Sequence, residues 1–471
     1  MLFCLALGLS VVSTASPPPA SATPPAAPPA HVFTAKMANR IDDLGMQIRS
    51  DKRSPGLAIA VVEDGRIVYA RGFGYGDLAT RRGVDPDTQF YVGGISQQFT
   101  AAAVLLLQQD GKLKLDDKVT KYVPELTVAP NATIAQLLQQ TAGLPDYTKA
   151  PGLKVDLTHT VKLSEIIAAV NKMTPAAEPG AKFEYNNLNY MIAGLIVERA
   201  SGVPLSDYLQ GHIFLPLVMN ASFYAGDRGI SPSHALGYTG SPGHFRRADT
   251  WDPAWLYGWG GIVTNVYDLA KWDIGLPLLL RVDAERAMFT PSGVPGEAQY
   301  GLGWVIDERG GKRYIWHNGE EAGYLSMNAI LPDDNIAVVV LQNTDRFSSR
   351  RVASPEAVAA DVIDILMPPA TMHVDNAVMA KAREWLSRIA DKRIDRTQLT
   401  PAFSAYLTDS LVARSDFAAL GKPEALVPIA SSAGDNGDVV YEFLVRFPHD
   451  HYHYKLTLAK DGKIDGLLLT P

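Results

Sequence analysis

The sequence predicts an α+β fold: one antiparallel sheet flanked by helices, an all-helical region inserted into it, and a small α+β domain after it. Three observations carry this. Strand-like segments lie at 56–74 and return only at 313–342, with helical periodicity between them. A break at Met367-Pro368-Pro369-Ala370 ends that unit, and alternating strands recur at 439–447, 452–458 and 464–469. Strands at both ends of a helical stretch are best buried together, in a sheet completed late in the chain.

The elements follow in order. Residues 1–30 hold no Lys, Arg, Asp or Glu and open with an apolar run over 1–12, followed by small residues at 13–16. This resembles a signal peptide without its usual charged start, so 1–16 is expected to be removed and the protein to be periplasmic or secreted. The run is too short for a membrane span. Cys4, the only cysteine, would leave with it. Residues 17–33 form a Pro/Ala-rich linker, whose composition favours extended conformations over a core.

A main domain is expected over 34–367, starting with a helix near 34–49. The apolar runs 56–63 and 66–74 flank Asp64-Gly65, a pair that supplies the positive φ angles of a tight hairpin. Residues 100–109 are apolar nearly all round, as in a buried helix, with Gly111 as its C-cap. An amphipathic helix is expected at 189–200, stopped near Gly202, and late strands at 313–317, 324–331 and 336–342. Beyond the break, 372–471 should form the second domain. There Val378, Ala382, Trp385, Leu386 and Ile389 recur at helical spacing.

Composition narrows the partners. A chain of 471 residues, 47% apolar, with a formal charge of −7 has no electrostatic reason to bind nucleic acid or anionic lipid. No cofactor or metal is expected. His449, His451 and His453 alternate, a spacing that on a strand can hold a transition metal, but Pro448-His449-Asp450 reads as a turn and a solvated hairpin is preferred. Trp251, Trp255, Tyr257 and Trp259 could line a ligand groove or pack a long loop equally well.

Five segments in order carry a family resemblance over about 36–366. They are Gly94-Ile95-Ser96-Gln97; Leu137 to Pro145, around Gln140-Thr141-Ala142-Gly143; Tyr185-Asn186-Asn187; Gly260-Gly261 with Asp268-Leu269-Ala270-Lys271-Trp272; and His317-Asn318-Gly319. This series is similar to the serine β-lactamases, penicillin-binding proteins and related esterases. Their pattern reads Ser-x-x-Lys, Leu-Leu-x-His-Thr-Ser-Gly-Leu, Tyr-x-Asn, Gly-Gly with Asp-Leu-Ala-x-Trp, and Lys-Thr-Gly or His-x-Gly. The resemblance places Gly94 at the nucleophile and Gln97 at the base, and makes Gln140 and Ala142 further departures. The C-terminal segment weakly resembles the curved sheets of SnoaL and nuclear-transport-factor domains.

What the resemblance implies is an acylated serine with a lysine one helical turn away; neither is present. Gly94 has no hydroxyl, and Gln97 holds no proton to trade near neutral pH. Ser96 is rotated by about 200° from residue 94 along a helix and should face away. Tyr185 and His317 remain as residual catalytic candidates. Asn187, Gly319 and Glu320 remain for binding, with the N–H groups of Gly94 and Glu320 matching the family's oxyanion hole. Glu320 and Glu321 are expected to make the cleft more negative and to repel carboxylate-bearing substrates, or else to face solvent.

The expected function is therefore that of an exported, catalytically impaired pseudo-hydrolase that binds a small molecule or peptide in the former cleft. The alternative is a hydrolase of esters, amides or peptides that uses Tyr185 or His317 without an acyl-enzyme. A third reading gives the function to the C-terminal domain.

Overall fold

The computed structural model describes residues 32–226, 231–294, 299–347, 352–368, 372–409, 412, 420–434, 437–447 and 451–470. The expected signal peptide and nearly all of the linker lie outside them, as does His449. Strands run β1 (Gly56–Glu63), β2 (Arg66–Asp77), β3 (Arg82–Gly83), β4 (Phe90–Tyr91), β5 (Phe223–Tyr224), β6 (Tyr238–Ser241), β7 (His244–Arg247), β8 (Ile262–Thr264), β9 (Val305–Arg309), β10 (Lys312–Glu321), β11 (Tyr324–Leu331), β12 (Ile336–Gln342), β13 (Ala425–Ala433), β14 (Val439–Arg446), β15 (His451–Leu458) and β16 (Ile464–Thr470). Helices run α1 (Ala35–Ser50), α2 (Ser96–Gln109), α3 (Ile134–Leu138), α4 (Leu163–Val170), α5 (Asn187–Ser201), α6 (Leu205–Leu209), α7 (Val266–Leu279), α8 (Val282–Met288), α9 (Pro355–Leu366), α10 (Asn376–Ala390) and α11 (Pro401–Tyr406).

The hairpin forms as its turn demands: Asp64 and Gly65 both take positive φ, 47° and 71°. Its strand β1 pairs on its other edge with β12, from the far end of the main unit, in the seven-stranded antiparallel order β3-β2-β1-β12-β11-β10-β9. The late strands thus complete the sheet begun by the early hairpin, as the order of elements predicts. Every residue of β1 is buried because both faces are covered. Leu57, Ile59 and Val61 pack toward α1 and α9, while Ala58, Ala60 and Val62 join the large core with α2, α5 and α7. The period of two thus serves two cores at once.

The same parity orients β10. Tyr314 and Trp316 pack against the α9 core, and Ile315 belongs to the large core. His317, Gly319 and Glu321 consequently share the inner face with Ile315, whereas Asn318 and Glu320 look toward α9. Helix α2 begins in a 3-10 turn, Gly93–Ile95, and is buried over nearly its whole length, as expected from its apolar residues. Helix α5 ends where the sequence stops it, with Gly202 left-handed at φ 82°.

The C-terminal sheet has the order β13-β14-β15-β16 and its own core, including Trp385, Phe443, Val445, Tyr454 and Leu456. Strand β13 was not anticipated, because Pro428 interrupts its pattern; a register shift beside Pro428 accommodates it. Among the described residues no helix is long and apolar enough to cross a membrane, and no group of three or more His, Cys, Asp or Glu is placed to hold a metal ion.

Candidate functional site

The start of α2, the loop before α5, the loop before β9 and strand β10 converge on one buried cluster. At its centre is Gln97, fully buried on the first turn of α2. Its Nε2 donates to the Tyr185 hydroxyl at 2.6 Å and, at 3.4 Å, to Asn187 Oδ1. Its Oε1 accepts from Gln140 Nε2 at 3.1 Å and from the Tyr300 hydroxyl at 2.9 Å. Gln140 is held in turn: its Oε1 accepts from Asn186 N–H at 3.0 Å and from Asn189 Nδ2 at 2.7 Å. Gln140 itself adopts φ 59°, a left-handed conformation unusual for a residue with a Cβ, and its side-chain bonds lock it there.

His317 lies beside this cluster, 2% exposed. Its Nδ1–H donates to the Asn318 carbonyl at 2.6 Å, so the neutral ring presents Nε2 as an acceptor, 2.9 Å from the Tyr300 hydroxyl. The single Tyr300 proton therefore serves two acceptors, Gln97 and His317. Burial pushes the His317 pKa down to about 4, against a smaller opposing effect of the Asn318 carbonyl, so the ring is neutral near pH 7. Both of its nitrogens are engaged inside the protein.

Tyr185 is 47% exposed, yet its hydroxyl reaches down to Gln97. Removal from water raises the phenol pKa far more than the Gln97 hydrogen bond lowers it, so it stays protonated at physiological pH. Among the described residues it donates its own proton to none. Gly94 adds no side chain, and little space is left for one: a Cβ there would stand 2.8 Å from the Asn318 carbonyl oxygen, 2.9 Å from His317 Cε1 and 3.2 Å from the Tyr185 hydroxyl. Residue 94 thus faces both Tyr185 and His317. On Gly319 a Cβ would run into the Val92 carbonyl oxygen, and on Gly93 it would come within 2.9 Å of Glu320 N.

Ser96 points away, as the helical rotation requires: it is buried, and its hydroxyl accepts from Ile262 N–H at 3.2 Å. The two glutamates depart from the expectation of a more negative cleft. Glu320 lies on the α9 face, where it accepts from Arg346 N–H at 2.9 Å and Nε at 3.2 Å. Arg346 also pairs with Glu356, which accepts from Asn318 Nδ2 at 2.6 Å. Glu321, 3% exposed, is pushed up to about 8 by burial, only partly offset by the Gly93 and Gly261 N–H groups. It is therefore largely protonated near neutral pH. One carboxylate is neutralised by an ion pair and the other by a proton; neither lies in solvent.

The aromatic run resolves toward packing. Trp255 is buried with Nε1 donating to the His159 carbonyl at 2.7 Å, and Trp259 is buried with Nε1 donating to the Trp255 carbonyl at 2.6 Å. His453 is half-buried and senses Arg309 and Asp364 rather than projecting from a solvated hairpin, and burial lowers its pKa to about 4. Tyr300 was missed from sequence: it stands alone in Tyr300-Gly301-Leu302-Gly303, a segment that offers no motif. The partnership of Gln97 with Gln140 is equally hidden in the sequence, although both positions depart from the family pattern.

An antiparallel sheet with a helical region over one face, and a cleft at the start of a buried helix between them, defines a β-lactamase/transpeptidase-like protein. The family model described as Beta-lactamase matches residues 30–362, and the chain belongs to that family. Among relatives, Protein flp of Staphylococcus aureus strain MW2 is 27% identical over 304 residues, 61% of this chain and 59% of that protein. The Unguisins hydrolase ungD' of Aspergillus campestris is 28% identical over 319 residues, 62% and 58% of the two. The chain thus spans about three fifths of the length of these relatives. The octameric penicillin-binding protein homologue from Pyrococcus abyssi superimposes with a TM-score of 0.63 at 21% identity, covering 92% of this chain and 99% of that one. A D-amino acid amidase from Ochrobactrum anthropi, complexed with L-phenylalanine amide, gives 0.61 at 23% identity, covering 71% and 98%. These likenesses establish the fold.

Proposed function

We propose that this member of the Beta-lactamase family has lost serine acyl transfer and binds a small amide- or peptide-like ligand at the mouth of the former active-site cleft. The observation that carries the reading is the state of Gln97. Where the family's mechanism needs a base, this chain has a fully buried amide whose donors and acceptor are all engaged with Tyr185, Asn187, Gln140 and Tyr300. Opposite it, residue 94 supplies no nucleophile, and the two losses fall on the same proton transfer.

The ligand half of the proposal rests on Tyr185. The residue is half-exposed, and its hydroxyl, already accepting from Gln97, has a proton to give. An amide carbonyl is the natural acceptor, and the solved relative holding L-phenylalanine amide suggests the size class. Water activation by His317, the rival reading, draws less support because Tyr300 and Asn318 engage both ring nitrogens. The apolar run at 1–12 and the small residues at 13–16 support export of the protein to a periplasm or beyond.

The test is incubation with a reactive penicillin and, separately, a fluorophosphonate, read by intact mass. No adduct is expected, and an adduct on any serine overturns the loss of acyl transfer. Calorimetric titration with D- and L-phenylalanine amide should give saturable binding weakened by Tyr185→Phe. Absence of binding by both enantiomers overturns the ligand assignment. Expression in an exporting host should yield a chain shortened near residue 16, and retention of Met1 in the cytoplasm would refute export.

A further inference from the structure

A second cavity, remote from Gln97, lies in the C-terminal unit. It occupies about 730 Å³ between helices α10 and α11 and the sheet β13-β14-β15-β16. Pockets of roughly 300–1,000 Å³ are the size that buries small organic ligands. Its interior is apolar, formed by residues such as Leu386, Phe403, Phe447 and Leu467. At its mouth Tyr406 and Leu468 are 69% and 53% exposed, a large apolar surface to leave in water beside an empty volume.

Two further features give the cavity chemistry. The Tyr454 side chain lines it, is 1% exposed, and among the described residues its hydroxyl has no hydrogen-bond partner. A buried hydroxyl left unpaired costs free energy that a bound acceptor would recover. At the rim stand Arg383, Lys422 and Asp391, and Asp391 is paired with Arg393. Among the described residues Arg383 and Lys422 form no ion pair, so the rim is cationic toward an incoming molecule.

We propose that this cavity binds an anionic amphiphile, an acyl-chain-like body inserted between the helices and the sheet with its negatively charged head at Arg383 and Lys422. The apolar lining accounts for the body, and the rim selects the sign of the head. The site shares no residue with the Gln97 cluster, so the proposal stands apart from the reading of the cleft.

The experiment titrates the full chain by calorimetry, below micellar concentrations, with laurate, lauryl alcohol and lauryl trimethylammonium. Laurate should bind at one site per chain, more tightly than the alcohol, with the cation weakest. The variant Arg383→Glu/Lys422→Glu, which changes only exposed positions, should weaken laurate at least tenfold and leave the alcohol nearly unchanged. Ala390→Trp, which fills the cavity from α10, should abolish binding of both while the circular dichroism spectrum stays that of the parent. Absence of saturable laurate binding by the parent chain overturns the proposal. So does binding undiminished by Ala390→Trp, or a cation bound as tightly as laurate.

Discussion

The side-chain amides of Gln97 and Gln140, 43 residues apart in sequence, meet at 3.1 Å in the interior. Each replaces a residue of the family pattern, and each satisfies the other: a lysine at 97 would present a charge where Gln140 now donates. The two amides thus belong to one closed hydrogen-bond network.

That pairing predicts energetic coupling. Gln97→Ala strands Gln140 Nε2 and removes a partner of Tyr300, and should cost about 2–3 kcal/mol in urea denaturation. Gln140→Ala should cost a similar amount. In a double-mutant cycle the two should be non-additive by roughly 1–2 kcal/mol. Additivity would mean that the contact carries no energy.

Gly94 predicts the outcome of trying to restore the motif. Because a Cβ there stands 2.8 Å from the Asn318 carbonyl oxygen, Gly94→Ser must push strand β10 or the α2 start aside. The substitution should lower stability by about 1–3 kcal/mol, the range found for overpacking. Gly94→Ser with Gln97→Lys should be less stable still, since Gln140 Nε2 and the Tyr300 hydroxyl, which now donate to Gln97 Oε1, would then face a cation. Acylation by penicillin, read by mass, then reports whether the strand can move; a stable double variant would contradict the crowding.

Glu321 predicts a pH dependence. Its folded pKa of about 8 lies above the ordinary glutamate value of 4.5, so the folded state holds the proton more tightly. Its contribution to stability is complete below about pH 4.5 and is lost as pH rises through 8. Glu321→Gln keeps the shape without the titration. Its stability relative to the parent should therefore climb from pH 5 to pH 9, by about 4 kcal/mol. A difference that stays flat with pH would show that the carboxyl is not buried as described.

Arg346 predicts dependence on a cation remote in sequence. It pairs with Glu320 and Glu356, with side chains about a quarter exposed or less. Arg346→Met leaves two carboxylates facing each other and should destabilise by about 1–3 kcal/mol. Glu356→Gln added to it should recover part of the loss. No recovery would mean that the guanidinium acts through packing rather than charge.

The sequence made much of this legible because local rules wrote it. Asp64-Gly65 marked the hairpin, the apolar face of 100–109 marked a buried helix, and Gly202 marked a helix end; each depends on backbone conformation or periodicity alone. Strand β13 escaped because Pro428 breaks the very pattern that reveals strands. In the site, ordered motifs located Gly94, Gln97, Tyr185 and His317. They gave no hint of Tyr300, whose role comes only from where its loop is folded.

What the sequence by itself determined is the family fold and the residue types at 94 and 97, a glycine without a side chain and a glutamine without a titratable group, because side-chain chemistry is fixed by residue type. What only the tertiary structure decided is the state of the groups left behind. Glu320 is paired because strand parity turns it toward Arg346, and Glu321 is protonated because the same parity turns it inward. His317 is neutral because it is buried, and Gln97 is satisfied because three separate segments bring it partners. Charge and hydrogen bonding depend on surroundings, and surroundings are set by packing between residues that the sequence keeps far apart.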